Sequence, residues 1–385
     1  MAKPSILIIS FSPISSSPRV RKQVAILRDE YEVVTAGFGA EGISGTEHIE
    51  LATDPELRGI YRLRGLYQII FLLRMFRAFT MNNPRFLDAI DKLSFRKWDV
   101  IIAHNSETVP IARTLRPNMG VMCDLHEYAP EQHEPSAKWR FLVLPYIKWL
   151  LRHEVRHVDE VINVGEGIID RYEKEFGIRS ALVTNASPYK EFEPTPTASP
   201  IRLVHSGIPA PERRPEVMIE AVKQSRADVT LDFYFMETDR EYLAKLKELA
   251  GSDARIAFQK PVAYEQLVET LHSYDLGLSF ILPTQFNDEW CLPNKFFDFI
   301  QARLGIIIGP SPELAQYVGK YGLGAVAEDF SAASLAIVLD GLTLEQVDAW
   351  KRAAHDCAYE LSAEQQSGAW LEGVERIVAA ASARA

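Results

Sequence analysis

The chain is poor in cysteine, with only Cys123, Cys291 and Cys357 among 385 residues. Three scattered thiols cannot build a disulfide framework or a zinc site, which fits a reducing cytoplasm. No run of eighteen or more uncharged apolar residues occurs, so no membrane-spanning helix is expected. The N-terminus passes from Lys3-Pro4 directly into the apolar stretch 5–11, without a basic region and cleavage site. A first core strand is therefore expected there rather than a secretory leader. The three-glycine fingerprint of dinucleotide binding is missing after that strand, so NAD binding is unsupported. A net charge of −10 argues against a general nucleic-acid binder.

Acidic residues are absent from one long stretch. Between residues 57 and 87 the chain carries Arg58, Arg62, Arg64, Arg74, Arg77 and Arg85 and no carboxylate. Aromatic and aliphatic residues lie between these arginines, a composition suited either to an anionic membrane surface or to a packed helix with solvated arginines. On the membrane reading, Tyr67, Phe71 and Phe76 would enter the interface. A second basic and aromatic stretch, 138–156, contains Lys138, Arg140, Lys148, Arg152 and Arg156 with Trp139, Phe141, Tyr146 and Trp149. It reads as an ordinary helix.

What is present is a repeated alternation of buried strands and helices. Strands are expected over 5–11, 32–37, 98–105 and 120–128, then over 201–207, 229–235, 254–258, 275–280 and 305–310. Between the two series, 187–200 holds four prolines and no apolar periodicity, the mark of a linker. At 385 residues two domains are the natural expectation. Polar residues gather at strand ends. Asp124, His126 and Glu127 close one strand, where packing alone would favour apolar residues, and this places His126 in a site. His104 reads as structural. Gly207 ends another strand and permits close backbone approach, with Arg213 and Arg214 following as cations for phosphate.

The stretch Glu289-Trp290-Cys291-Leu292-Pro293-Asn294-Lys295-Phe296-Phe297-Asp298 carries the densest signal. Pro293 stands where a helix would start, and helix starts present unpaired N–H donors to anions. Phe296, Phe299, Ile300 and the stem of Arg303 form its apolar stripe. Lys295 adds a full charge, and Asp298, on the same side as Asn294, is placed to accept from a vicinal diol. Together they suit a nucleoside diphosphate with its ribose.

The order of loop, Leu-Pro-Asn-Lys, Phe-Phe-Asp-Phe and buried strand resembles the C-terminal signature of GT-B glycosyltransferases, particularly retaining family 4. Further pieces are similar to the same family: Pro18-Arg19-Val20 after the first strand, the Asp124-x-His126-Glu127 stretch, 157–166, and 181–185. The resemblance implies an α/β GT-B fold, two Rossmann-like domains facing each other across a cleft, with a C-terminal helix crossing back to the first. It implies an acceptor-binding domain over 1–187, a linker over 188–200, a nucleotide-sugar-binding domain over 201–360 and the returning helix over 361–385.

The implied activity is transfer of a sugar from a nucleotide-sugar donor to an acceptor hydroxyl, with retention and without metal or other cofactor. Absence of any Asp-x-Asp pair agrees with metal independence. His126, Lys295 and Arg213 are implied as catalytic. Arg19, Gly207, Arg214, Glu289, Leu292, Pro293, Asn294 and Asp298 are implied to bind the donor, with Arg19 facing its phosphates. The acceptor would be a glycan or lipid-linked glycan in cell-surface assembly, handled in the cytoplasm or peripherally on the inner face of the membrane. Two positions depart from the family pattern. Ile208 follows Gly207 where arginine is common, and Trp290 stands at the first of two glutamate positions eight residues apart, Asp298 taking the second. A nucleotide-sugar epimerase on the same fold and a catalytically silent binding subunit are the alternatives.

Overall fold

The structure, a computed structural model, describes residues 3–55, 64–132 and 136–384, with residues 64–67 as backbone. Two compact units divide the chain. The first comprises Met1–Thr184 and Ser367–Ala385, the second Asn185–Gln366.

The first unit holds a seven-stranded sheet made of β1 (Ser5–Pro13), β2 (Glu32–Phe38), β3 (Glu47–Leu51), β4 (Val100–His104), β5 (Gly120–Asp124), β6 (Glu160–Asn163) and β7 (Ala181–Leu182). Their order is β3-β2-β1-β4-β5-β6-β7, and every pair is parallel. Such strands are covered on both faces, which explains why β1, β4 and β5 are nearly continuous runs of buried apolar residues. The expected edges hold to within a few residues, but β3 was not anticipated. Its sequence, Glu-His-Ile-Glu-Leu, is mostly polar because it lies at the sheet edge. The chain winds outward from β1 to β3 and returns to β4 beside β1, so the topological switch lies between β1 and β4. Crevices open at the carboxyl ends of strands at such a point.

Helix Gly368–Ser382 belongs to this first unit, although it is last in the chain. Trp370, Val374 and Ile377 join Ile6, Ile102 and Met122 in its core. Trp370 is fully buried, which alone is worth on the order of 1.5–3 kcal/mol by area.

The second unit repeats the plan with β8 (Ile201–Gly207), β9 (Val229–Phe235), β10 (Ile256–Gln259), β11 (Leu276–Ser279), β12 (Gly305–Ile308) and β13 (Gly324–Val326). The order β10-β9-β8-β11-β12-β13, again all parallel, puts its switch between β8 and β11. Residues 188–200 carry no helix or strand.

Helix Asn294–Gln301 sits in this unit with every residue from Lys295 to Gln301 buried, so the expected stripe is a whole circumference. Arg303 does not lay its stem along a surface. It is fully buried at φ 60°, and its guanidinium donates to the carbonyls of Ile300, Gln301, Lys190 and Phe192. It thereby satisfies the orphan carbonyls at the helix C-terminus, where positive charge is favoured, and pins the 190–192 segment.

Candidate functional site

In the first unit, helix Pro18–Leu27 begins right after the β1 loop, capped by Ser17. Its buried face carries Arg19 and Gln23, one turn apart, and directs both at the end of β5. There Asp124 is fully buried. Arg19 donates to its carboxylate through Nε and Nη2 at 3.0 and 2.7 Å, Gln23 through Nε2 at 2.5 Å and Trp370 through Nε1 at 3.0 Å. Arg19 also donates to the Val183 carbonyl and lies 4.8 Å from the centre of the Trp370 ring. Burial is the largest single influence and opposes the charge on Asp124, but the charge and hydrogen bonds of Arg19, with the two histidines beside it, together hold the carboxyl below its usual range.

Arg19, expected to face donor phosphates, is buried here and paired within its own unit. Its guanidinium is committed to Asp124, 105 residues away in sequence.

His104, the last residue of β4, is paired in register with Asp124. It is not an isolated structural histidine. Its Nε2 lies 2.8 Å from Gln23 Oε1 and its Nδ1 lies 2.8 Å from His126 Nε2. Burial lowers the pKa of His104 to about 3 and that of His126 to about 4, so both rings are neutral at physiological pH. His104, Asp124 and His126 offer ligand atoms within 4.8 Å of one another, close enough to consider a cation. The carboxylate already accepts from three side chains, and a guanidinium beside it opposes a second positive charge. The arrangement is built for hydrogen bonding.

The second unit handles charge differently. His205, two residues before the end of β8, lies 2.8 Å from the Leu278 carbonyl through Nδ1. A carbonyl only accepts, so Nδ1 carries the proton and Nε2 is a lone pair. Lys295 Nζ donates to it from 3.2 Å. Burial, then the charge of Lys295, depresses His205 well below its ordinary value. Lys295 itself is lowered to about 7, first by burial and next by the nearby charge of Arg213, with Cys291 and Asp298 opposing less strongly. Gly207, at φ 141°, closes this space. A Cβ there would stand 3.1 Å from the Lys295 ammonium. The Ser279 hydroxyl, ending neighbouring β11, is buried without a hydrogen-bond partner among the described residues.

Lys295, Arg213 and Gly207 are thus brought together. Arg214 is an exposed residue at φ 47° whose charge acts on Tyr242 instead, so it does not share that space. Leu292 is buried, Pro293 caps the helix and Asn294 is exposed at its first turn. Glu289 is exposed, and its main-chain carbonyl accepts from the Ser311 hydroxyl. Trp290 stacks on Phe286. Asp298 is not an open diol acceptor: it is 2% exposed and already accepts from the Ser187 hydroxyl. His205 was missed because a histidine within an apolar strand reads as core. Only its contact with a lysine 90 residues away marks it.

The two basic stretches also meet within the first unit. Phe71, Phe76 and Phe79 cluster with Tyr146 and Trp149, ring centres 4.7 to 6.2 Å apart. The expected interface residues Phe71 and Phe76 are consequently turned inward, whereas Ile69, Leu72, Leu73, Met75 and Phe141 are exposed. Arg58 and Arg62 lie outside the described residues, as do the side chains of Arg64 and Tyr67. Beside the aromatic cluster is a surface cleft of about 370 Å³, lined by Arg74, Arg140, Lys148 and Arg152 over Phe76 and Trp149, with no carboxylate in its lining. Among the described residues no helix is long and apolar enough to cross a membrane.

No protein-family model and no curated protein matches this chain. Solved structures do. HepE of Anabaena, solved in complex with UDP, superposes with a TM-score of 0.69 at 12% identity, covering 97% of this chain and 100% of its own. Sucrose-phosphate synthase of Thermosynechococcus elongatus gives 0.71 at 13% identity, covering 98% and 100%. WaaG, a glycosyltransferase involved in lipopolysaccharide biosynthesis, gives 0.63 at 13% identity, covering 95% and 98%. The two parallel sheets and this likeness across the full length show the GT-B fold.

Proposed function

We propose that the protein is a retaining, metal-independent glycosyltransferase of hexosyl type. It takes a sugar from a nucleoside-diphosphate sugar and passes it to an acceptor hydroxyl in cell-surface glycan or glycolipid assembly. The observation that carries this reading is the Lys295–Arg213 pair beside Gly207, two cations whose mutual repulsion outweighs Asp298. A diphosphate supplies the missing negative charge, and its charge grows as the glycosidic bond breaks. Lys295, buried, and Arg213, at the exposed rim beside it, favour that change most in the transition state. His126, just past the end of β5 in the first unit, is the residue this reading assigns to the sugar. HepE has been captured with UDP-glucose, which makes UDP-sugars the first donors to try.

Incubation with a panel of nucleotide-sugars, followed by assay for free nucleoside diphosphate, is the test. Release from at least one donor is expected. A changed sugar without release would indicate an epimerase, and neither outcome would indicate the silent subunit that Trp290 makes conceivable.

The acceptor, in the same reading, is presented at an anionic membrane surface on the cytoplasmic side. Arg74, Arg140, Lys148 and Arg152 surround one acid-free cleft, and the apolar residues beside it include Leu73 at 66% exposure and Phe141 at 79%. Each basic residue near an anionic bilayer contributes about 1 kcal/mol, enough in sum to concentrate a protein of net charge −10. Co-sedimentation with phosphatidylserine-containing vesicles is expected at low salt and lost at high salt. An Arg74/Arg77/Arg140/Lys148→Gln variant that pellets equally well would point to a water-soluble acceptor.

A further inference from the structure

Asp124, Gln23, His104 and His126 form one continuous hydrogen-bonded chain, and the direction of every bond in it is determined. Asp124 is an ionised carboxylate and can only accept, so the Gln23 amide must turn its Nε2 toward it, at 2.5 Å. The other end of that amide, Oε1, then faces His104 Nε2 at 2.8 Å and can only accept. His104 therefore carries its proton on Nε2. Its Nδ1 is left as a lone pair, 2.8 Å from His126 Nε2, which must carry the proton of that bond. Both rings are neutral through burial, so each has a single proton to place. The remaining nitrogen of His126, Nδ1, has no hydrogen-bond partner among the described residues, and the side chain is half-buried at the strand ends.

We infer that Gln23 and His104 are positioning residues for His126. They hold its imidazole in the Nε2–H form and present Nδ1 as an acceptor, so the ligand group met there is a hydrogen-bond donor. That excludes an ionised carboxylate or phosphate at this point and selects a donor, which in a sugar is a hydroxyl. Its belonging to a sugar rests on the sugar-transfer reading; the tautomer does not. The anchor of the relay is the Arg19–Asp124 pair, whose mutual neutralisation leaves little net charge to draw an anion toward the ring.

The full chain labelled with ¹⁵N-histidine tests this in long-range ¹H–¹⁵N correlation spectra at neutral pH. His104→Phe and His126→Phe variants assign the two rings. Protonated Nε2 and bare Nδ1 are expected at both histidines of the wild type, and a proton on Nδ1 of either would overturn the relay. Gln23→Leu, which removes the acceptor for His104, is expected to mix the tautomers at both rings; retention of the wild-type pattern in the folded variant would overturn the role of Gln23. Should that buried variant fail to fold, the wild-type spectrum decides alone. Saturation with UDP-glucose, followed in parallel by calorimetry, is expected to shift the His126 Nδ1 resonance. Binding without that shift would overturn the hydroxyl contact. An absence of binding would count against UDP-glucose as donor, and the positioning role would still be decided by the free protein.

Discussion

At the end of β5 a guanidinium meets a carboxylate at 2.7 Å with both side chains buried, and a neutral histidine relay runs on from the pair. Beyond β8, in the other unit, a buried ammonium leans on a neutral histidine and feels a guanidinium more strongly than its nearest carboxylate. The two sheets share one winding and one kind of opening at the switch point, yet one closes its charge account internally and the other leaves it open. Fold alone thus creates the crevice, while charge compensation decides whether an anion belongs there.

Substitution by methionine should separate the two cations most clearly. Arg19→Met leaves Asp124 buried without its partner and is expected to cost about 3–5 kcal/mol. Lys295→Met removes an uncompensated buried charge and should instead stabilise by about 1–2 kcal/mol, in the manner of functional sites that trade stability for activity. Urea unfolding of both variants checks the contrast, and equal destabilisation would abolish it.

Trp370→Phe keeps the ring in the core but removes the indole donor to Asp124. A loss of about 1.5–3 kcal/mol is expected, the range for a hydrogen bond to a charged group. An unchanged unfolding midpoint would mean that Arg19 and Gln23 suffice to hold the carboxylate.

For UDP binding the ranking reverses. Lys295→Met and Arg213→Gln should each weaken it by about 1.5–3 kcal/mol by calorimetry, while Arg214→Gln should change it little. Affinity in the wild type should also fall as pH rises through about 7, because Lys295 must then take up a proton before it can hold the anion. Calorimetry in buffers of different ionisation enthalpy reads that uptake directly. Asp298→Asn, the smallest change, removes a charge that supports the protonated lysine and should move the same fall to lower pH.

Acid should affect the first unit through its histidines. Their folded values of about 3 and 4 lie below the ordinary unfolded value of about 6.5, so on acidification the unfolded chain takes up protons first. Stability therefore declines from about pH 6.5 down to about pH 4 and below, and His104→Phe should flatten this slope in thermal melts.

Much of the architecture was legible because it depends on near neighbours. Buried runs such as Ile6–Ile9 and 305–308, helix starts at Pro18 and Pro293, and the proline-bearing segment 188–200 announce themselves within a few residues. The edge strand β3 did not, since one exposed face removes the apolar run by which strands are recognised. Of the candidate residues, Lys295, Arg213 and Gly207 in the second unit and His126 in the first stood out as cations, a glycine and a polar strand end. The partners of those residues did not.

By itself, then, the sequence determined the strand–helix alternation, the two series and the residue types available at their ends. Periodicity and turn chemistry act over one or two turns and need no knowledge of the rest of the chain. Only the tertiary structure decided that Arg19 is bound to Asp124, that His205 supports Lys295, that Asp298 is buried under Ser187, and that Gln23 and His104 orient His126. Each of those outcomes turns on a charge or a lone pair contributed by a residue far away in sequence. Electrostatic pairing acts through space, and the distances that set it exist only once the sheets have formed.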